Sequence, residues 1–298
     1  MQVTGGVLAP LVNPCREDDS LDFPALEAQL SRLLDSKVDG IYLNGGTGDA
    51  ANLTQEERLR IAAYAVPRLR ARQKCAVVQV GQTSLRCALA LTEQAAALHA
   101  DAVASVPPQK DFAQVRSYYE ALTQVGVPVL VYYIPGMTGK AASYEELCEL
   151  LRLPGVLGIK VSDWNLFLVR RLKRAFPEKV VFEGLDELLL PGILYGADGC
   201  IGTWVNLLPD FYASVFAHAK SGEVEAVLPL TQRFAAFLTL AWDYGVLNTF
   251  EELMCAKGFA RRCFRKPGTW TPGSVPPDVL QKLFAELSAL EEMAKALS

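Results

Sequence analysis

Val129-Leu130-Val131-Tyr132-Tyr133-Ile134 and Val156-Leu157-Gly158-Ile159-Lys160-Val161 stand about twenty residues apart in this chain, and the stretch between them decides the fold. Both runs are nearly continuous apolar segments of strand length, as expected of parallel strands covered on both faces. Between them Ser143-Tyr144-Glu145-Glu146 is a capping box: the serine hydroxyl covers an unpaired N–H of a helix start and Glu146 reaches back to the cap. Gly155 precedes the second run, where a helix ends and the chain must turn.

The same strand–helix unit recurs on either side. Strands are predicted at Gly6–Val12, Gly40–Asn44, Cys75–Gly81, Asp101–Val106, Val129–Ile134, Val156–Val161, Val180–Glu183 and Gly199–Gly202. The helical segments carry matching signals. Leu26, Leu30, Leu33 and Leu34 fall on one stripe of a helix with Pro24 near its start. Thr54-Gln55-Glu56-Glu57 is a second capping box, and Gly40, Gly126 and Gly199 take the place of Gly155 at other strand starts. Eight such units close a (β/α)₈ TIM barrel with its active site at the strand C-termini. An open doubly wound sheet fits the same alternation, but no Gly-x-Gly-x-x-Gly follows the first strand. Residues 1–222 form the barrel on this reading. Residues 223–298 hold no strand candidate and read as a C-terminal appendage of three helices, the last from Pro277 onward.

Composition narrows the function. The 298 residues are 51% hydrophobic and 21% charged with net charge −4, and no Lys/Arg-rich stripe marks a nucleic-acid partner. Seven scattered cysteines, an odd count without a Cys-x-x-Cys pair, read as free thiols in a reducing compartment. No secretory signal and no membrane-spanning apolar run is seen, so a cytoplasmic location is expected. His99 and His218 fall in helical segments and no metal-ligand spacing occurs, so neither metal nor cofactor is expected.

Four strand ends carry candidate chemistry. Lys160, in Gly158-Ile159-Lys160-Val161-Ser162, is either a desolvated amine that attacks a ketone or a strand-edge lysine that snorkels to water. Of Tyr132 and Tyr133 only one can point into the barrel, to exchange protons with a substrate or simply to pack. In Asn44-Gly45-Gly46-Thr47-Gly48-Asp49 backbone N–H groups can converge on an anion, or the glycines make a tight turn. Gly184-Leu185-Asp186-Glu187, with Gly202-Thr203, can bind sugar hydroxyls; equally, the two acids can occupy a helix N-terminus.

In this order the motifs resemble those of the N-acetylneuraminate lyase and dihydrodipicolinate synthase family of class I aldolases, over nearly the whole chain. The matching segments are Gly45-Gly46-Thr47-Gly48-Asp49, Tyr132-Tyr133-Ile134-Pro135, Gly158-Ile159-Lys160 and Gly196-Ala197-Asp198-Gly199-Cys200-Ile201-Gly202. The resemblance implies that Lys160 forms a Schiff base with the C2 carbonyl of pyruvate and that Tyr132 transfers protons. Gly46 and Thr47 would hold the pyruvate carboxylate, with Ser162, Gly184 and Gly202 lining the substrate. Tyr132 to Gly139, Y-Y-I-P-G-M-T-G, is similar to the sialic-acid lyase branch, whose G-x-D-E segment is matched by Gly184, Leu185, Asp186 and Glu187; Thr203 falls on a further sugar contact. Dihydrodipicolinate synthases carry an arginine where Met137 stands, gripping a second carboxylate. The implied substrates are pyruvate or another 2-oxo acid and an aldehyde sugar, and the implied assembly is a homotetramer. Alternatives are dihydrodipicolinate synthase, a 2-keto-3-deoxy sugar acid aldolase or dehydratase, and a catalytically silent sugar-acid-binding barrel. Two departures motivate the last. Gly46 replaces a hydroxyl residue of the carboxylate loop, and Val106-Pro107-Pro108-Gln109-Lys110 lacks a tyrosine that in many members reaches a neighbouring subunit.

Overall fold

The computed structural model describes residues 3–108, 110–265 and 274–297. Eight parallel strands run in sequence order around a closed barrel: β1 (Gly6–Pro10), β2 (Gly40–Leu43), β3 (Cys75–Gln79), β4 (Ala102–Ser105), β5 (Val129–Tyr133), β6 (Val156–Val161), β7 (Val180–Glu183) and β8 (Gly199–Cys200), with β8 pairing back to β1. β6 and β7 have the bounds that their apolar runs predict, and the other six strands end earlier than theirs. Asn44, at φ 57°, leaves the extended region and stops β2 one residue short of the expected end.

Between strands lie α1 (Phe23–Leu34), α2 (Gln55–Ala71), α3 (Leu85–Ala97), α4 (Phe112–Thr123), the short α5 (Pro135–Thr138), α6 (Tyr144–Arg152), α7 (Leu166–Ala175), α8 (Leu189–Leu194) and α9 (Pro209–Ser221). Their starts follow the sequence signals. Leu26, Leu30, Leu33 and Leu34 are the buried stripe of α1, and both capping boxes close, Thr54 with Glu57 and Ser143 with Glu146. Two expectations need correction. Gly126 and Gly155 turn the chain at φ 89° and 84°, but Gly40 and Gly199 do not adopt positive φ. They are small because strands press on them: a Cβ on Gly199 would stand 2.1 Å from the Gly6 carbonyl oxygen. His99 also lies beyond α3, in a left-handed turn at φ 58°, whereas His218 is inside α9.

Side-chain alternation divides the apolar residues into two clusters. Leu8, Tyr42, Val77, Ala104, Leu130 and Phe182 fill the barrel. Ala9, Ile41, Val78, Val131, Ile159 and Val181 face the helices. This parity fixes the direction of every residue at the strand ends. Tyr132 and Lys160, level with each other across β5 and β6, share the inward face with Leu130 and Phe182, while Tyr133 and Glu183 point outward.

After α9 the chain forms α10 (Val224–Asp243), α11 (Val246–Ala256) and α12 (Pro277–Ala296). By length and composition α10 is apolar enough to cross a membrane. Its Phe234 and Phe237 are buried, however, against Phe211 of α9 and the fully buried Trp204, which is how a core helix of a folded body behaves. The segment after α11 is strapped to the barrel mouth. The Arg265 guanidinium bonds both Glu57 carboxylate oxygens (2.6 and 3.0 Å) and the carbonyls of Asn52 and Asp19, and its backbone N–H bonds Asp49 Oδ2 at 3.0 Å. Arg262 bonds Asp19 at 2.8 Å.

Candidate active site

Lys160 is 6% exposed at the carboxyl end of β6. Its Nζ lies 4.4 Å from the centre of the Tyr132 ring and 5.0 Å from that of Tyr42. The two rings meet edge to face at 6.4 Å. The amine is thus held against aromatic faces inside the barrel rather than extended to water, and of the two readings of this lysine the snorkelling one fails. Tyr42 is a site residue that the motif search passed over. Its hydroxyl is buried with no hydrogen-bond partner among the described residues, and burial raises its pKa well above the usual tyrosine value. The signal was present: a tyrosine at an inward position one residue from the end of an apolar strand.

Across the mouth, Gly46–Gly48 forms a 3₁₀ turn, braced by Asn13 Nδ2 donating to the Gly48 carbonyl at 2.7 Å. The turn consumes the N–H groups of Gly48 and Asp49, while those of Gly46 and Thr47 stand at its start, where helical turns leave donors for an anion. Thr47 Oγ1 bonds Thr203 Oγ1 at 2.8 Å, so the loops after β2 and β8 meet through two hydroxyls. A Cβ on Gly46 would meet nothing nearer than Met137 Cε at 3.9 Å. Met137 is exposed, and the loop position of Gln109 lies outside the described residues.

The loop after β7 comes close to the lysine. A Cβ on Gly184 would stand 2.1 Å from Ser162 Oγ and 2.8 Å from Lys160 Cε, so glycine is what lets this loop cross the site. Ser162 Oγ is buried and has no partner among the described residues. Asp186 opens the short turn Asp186–Leu188, and its carboxylate accepts from the Thr203 N–H at 2.9 Å and from the Tyr212 hydroxyl. The carboxylate therefore ties the loops after β7 and β8 together, and burial raises its pKa to about 7. Glu187 accepts from Trp242 Nε1 of α10 at 2.7 Å. Tyr212 and Trp242 come from distant helices, and nothing in the local motifs points to them. Glu183, outward beneath α8, accepts from the N–H groups of Gly184 and Leu185 at 2.9 and 3.0 Å. Burial lifts its pKa to about 8. Among the described residues no three His, Cys, Asp or Glu side chains gather as a metal site, and all seven cysteines are free thiols.

The sequence profile of the dihydrodipicolinate synthetase family matches residues 3–280. The chain belongs to that family. This dihydrodipicolinate synthetase family member is 28% identical over 267 residues to an N-acetylneuraminate lyase of Clostridium perfringens, covering 88% of this chain and 92% of that protein. It is 30% identical over 270 residues to one of Histophilus somni, covering 89% and 92%. The crystal structure of N-acetylneuraminate lyase from Fusobacterium nucleatum superposes on this family member with TM-score 0.85 at 26% identity, over 97% of this chain and 98% of that one.

Proposed function

We propose that this protein is a Schiff-base-forming lyase that makes or breaks a carbon–carbon bond to pyruvate, acting on a sialic-acid-like sugar acid. One observation carries the reading: a lysine amine enclosed in the barrel with a tyrosine ring 4.4 Å away on the neighbouring strand. Lys160 Nζ attacks C2 of the 2-oxo acid and water leaves, forming an iminium. Tyr132 accepts the proton of the C4 hydroxyl, and the C3–C4 electron pair moves toward the iminium. The aldehyde departs and an enamine remains. Protonation at C3 and hydrolysis release pyruvate and restore the amine. The N–H groups of Gly46 and Thr47 hold the carboxylate, while Ser162 Oγ, Gly184, Gly202 and Thr203 line the substrate. Asp186 acts by holding Thr203, and Glu187 faces the sugar. Borohydride reduction in the presence of pyruvate, followed by peptide mass spectrometry, is expected to place a reduced-pyruvate adduct on Lys160; an unlabelled Lys160 sinks the proposal.

Met137, in place of an arginine clamp, favours the sugar-acid substrate over a second charged one such as aspartate semialdehyde. Gly46 favours one rival, a silent binding barrel, which predicts sugar-acid binding without turnover. Pyruvate release that Lys160→Ala abolishes removes it. The family resemblance implies a homotetramer, with the exposed Phe167, Leu194 and Tyr195 as candidate contact residues, checked by sedimentation velocity. The free buried thiols fit a cytoplasmic setting.

A further inference from the structure

Two large aromatic side chains stand in the open beside the acid pair of the mouth. Trp164 is 58% exposed and Trp242 is 52% exposed. Their rings lie 6.2 Å apart at 51°. They come from unrelated places. Trp164 is four residues beyond Lys160 and two beyond Ser162, in the loop between β6 and α7. Trp242 is in the last turn of α10, and its indole N–H fixes Glu187 Oε1 at 2.7 Å. An indole left half in water forgoes the burial that normally holds it, and a polar group beside it is the usual make-up of a ligand site.

We propose that Trp164 and Trp242 form the wall on which the far, polyhydroxylated end of the sugar-acid substrate stacks, with Trp242 aiming Glu187 at its hydroxyls. This rests on the lyase reading and specifies its substrate class. The wall offers aromatic faces for the C–H surface of a sugar and one anchored carboxylate to accept from hydroxyl donors. A substrate carboxylate is repelled there and is received instead by the N–H groups of Gly46 and Thr47. The two ends of the mouth therefore orient one kind of molecule: an acid at one end and a neutral, hydroxylated tail at the other. A short 2-oxo acid uses only the first end.

Two measurements test the wall. Titration with N-acetylneuraminate should quench and shift tryptophan fluorescence, and pyruvate alone should not, because it occupies only the Gly46–Thr47 end. Trp204 is fully buried and Trp270 lies outside the described residues, so the double variant assigns the response. The Trp164→Phe/Trp242→Phe double variant should lose that response. In steady state the ratio of kcat/KM for N-acetylneuraminate to that for a six-carbon 2-keto-3-deoxy acid should fall roughly tenfold in Trp242→Phe, which keeps a ring and removes only the N–H and some area, and in Trp164→Ala. Equal losses on both acids, or no fluorescence response to N-acetylneuraminate, overturn the wall. A missing borohydride adduct on Lys160 overturns the lyase reading instead, and the fluorescence titration still decides the wall.

Discussion

The floor and the rim of this mouth are built differently. On the floor, Lys160, Tyr132 and Tyr42 project from adjacent or nearby barrel strands, and register alone aligns them. On the rim, Asp186, Glu187 and Thr203 sit in loops, and each is fixed by a partner from elsewhere: Tyr212 in α9, Trp242 in α10, Thr47 after β2. A strand position cannot shift without moving the sheet, so the floor suits a covalent step that tolerates little error. A loop position changes with one tertiary partner, so the rim suits the choice of substrate.

This contrast breaks most readily on the floor. Lys160→Ala should lower pyruvate release by at least roughly 10⁴-fold, because no other described group replaces its amine. Tyr132→Phe should cost about 10²-fold or more in kcat with little change in KM, measured by the same coupled assay. If Tyr133→Phe matched it, the assignment of inward and outward faces would be wrong.

Smaller effects belong to the supports. The Glu183 carboxyl titrates near 8 in the fold and in the ordinary glutamate range when unfolded, because burial penalises its charge. Between those values the native state holds the extra proton, so its contribution is complete at low pH and disappears as pH rises through about 8. Glu183→Gln should therefore remove about 1.4 kcal/mol per pH unit from the decline in stability between pH 5 and 8, read from urea melts. Asp186 and Glu251, each raised to about 7 by burial, keep part of the decline. If the mutant slope equalled the wild-type slope, Glu183 would be ionised in the fold. Least of all, Gly46→Ser should leave stability within about 0.5 kcal/mol, since its side chain enters open space. The assay then asks whether a hydroxyl restored beside Thr47 raises kcat.

The fold was legible because β/α alternation is a local, periodic signal repeated eight times. Lys160 and the Gly46–Thr47 loop were legible for a related reason: a charged residue in an apolar strand and clustered glycines at a strand end are unusual where they stand. Which of Tyr132 and Tyr133 faces inward was not settled by alternation, which needs an anchor, and the pairing of Tyr132 with Lys160 supplies it. Tyr212 and Trp242 were invisible because their partners Asp186 and Glu187 lie 26 and 55 residues away in ordinary-looking helices. Gly40 and Gly199 show the opposite failure. A helix-end pattern fitted them, yet contact between neighbouring strands is what excludes a side chain.

The strap at Arg265 has a consequence for how the molecule comes into being. Arg265 closes contacts with Glu57 and Asp19 across 208 and 246 residues of chain, and its backbone grips Asp49 at the edge of the Gly46–Gly48 turn. Such contacts carry a large loop-closure cost and form late. During synthesis all eight strands can emerge before this arginine does. The nascent chain can hold a complete barrel whose Gly46–Gly48 turn has its braces from Asn13 and Thr203 but not the one through Asp49, which comes only when the last quarter of the protein arrives.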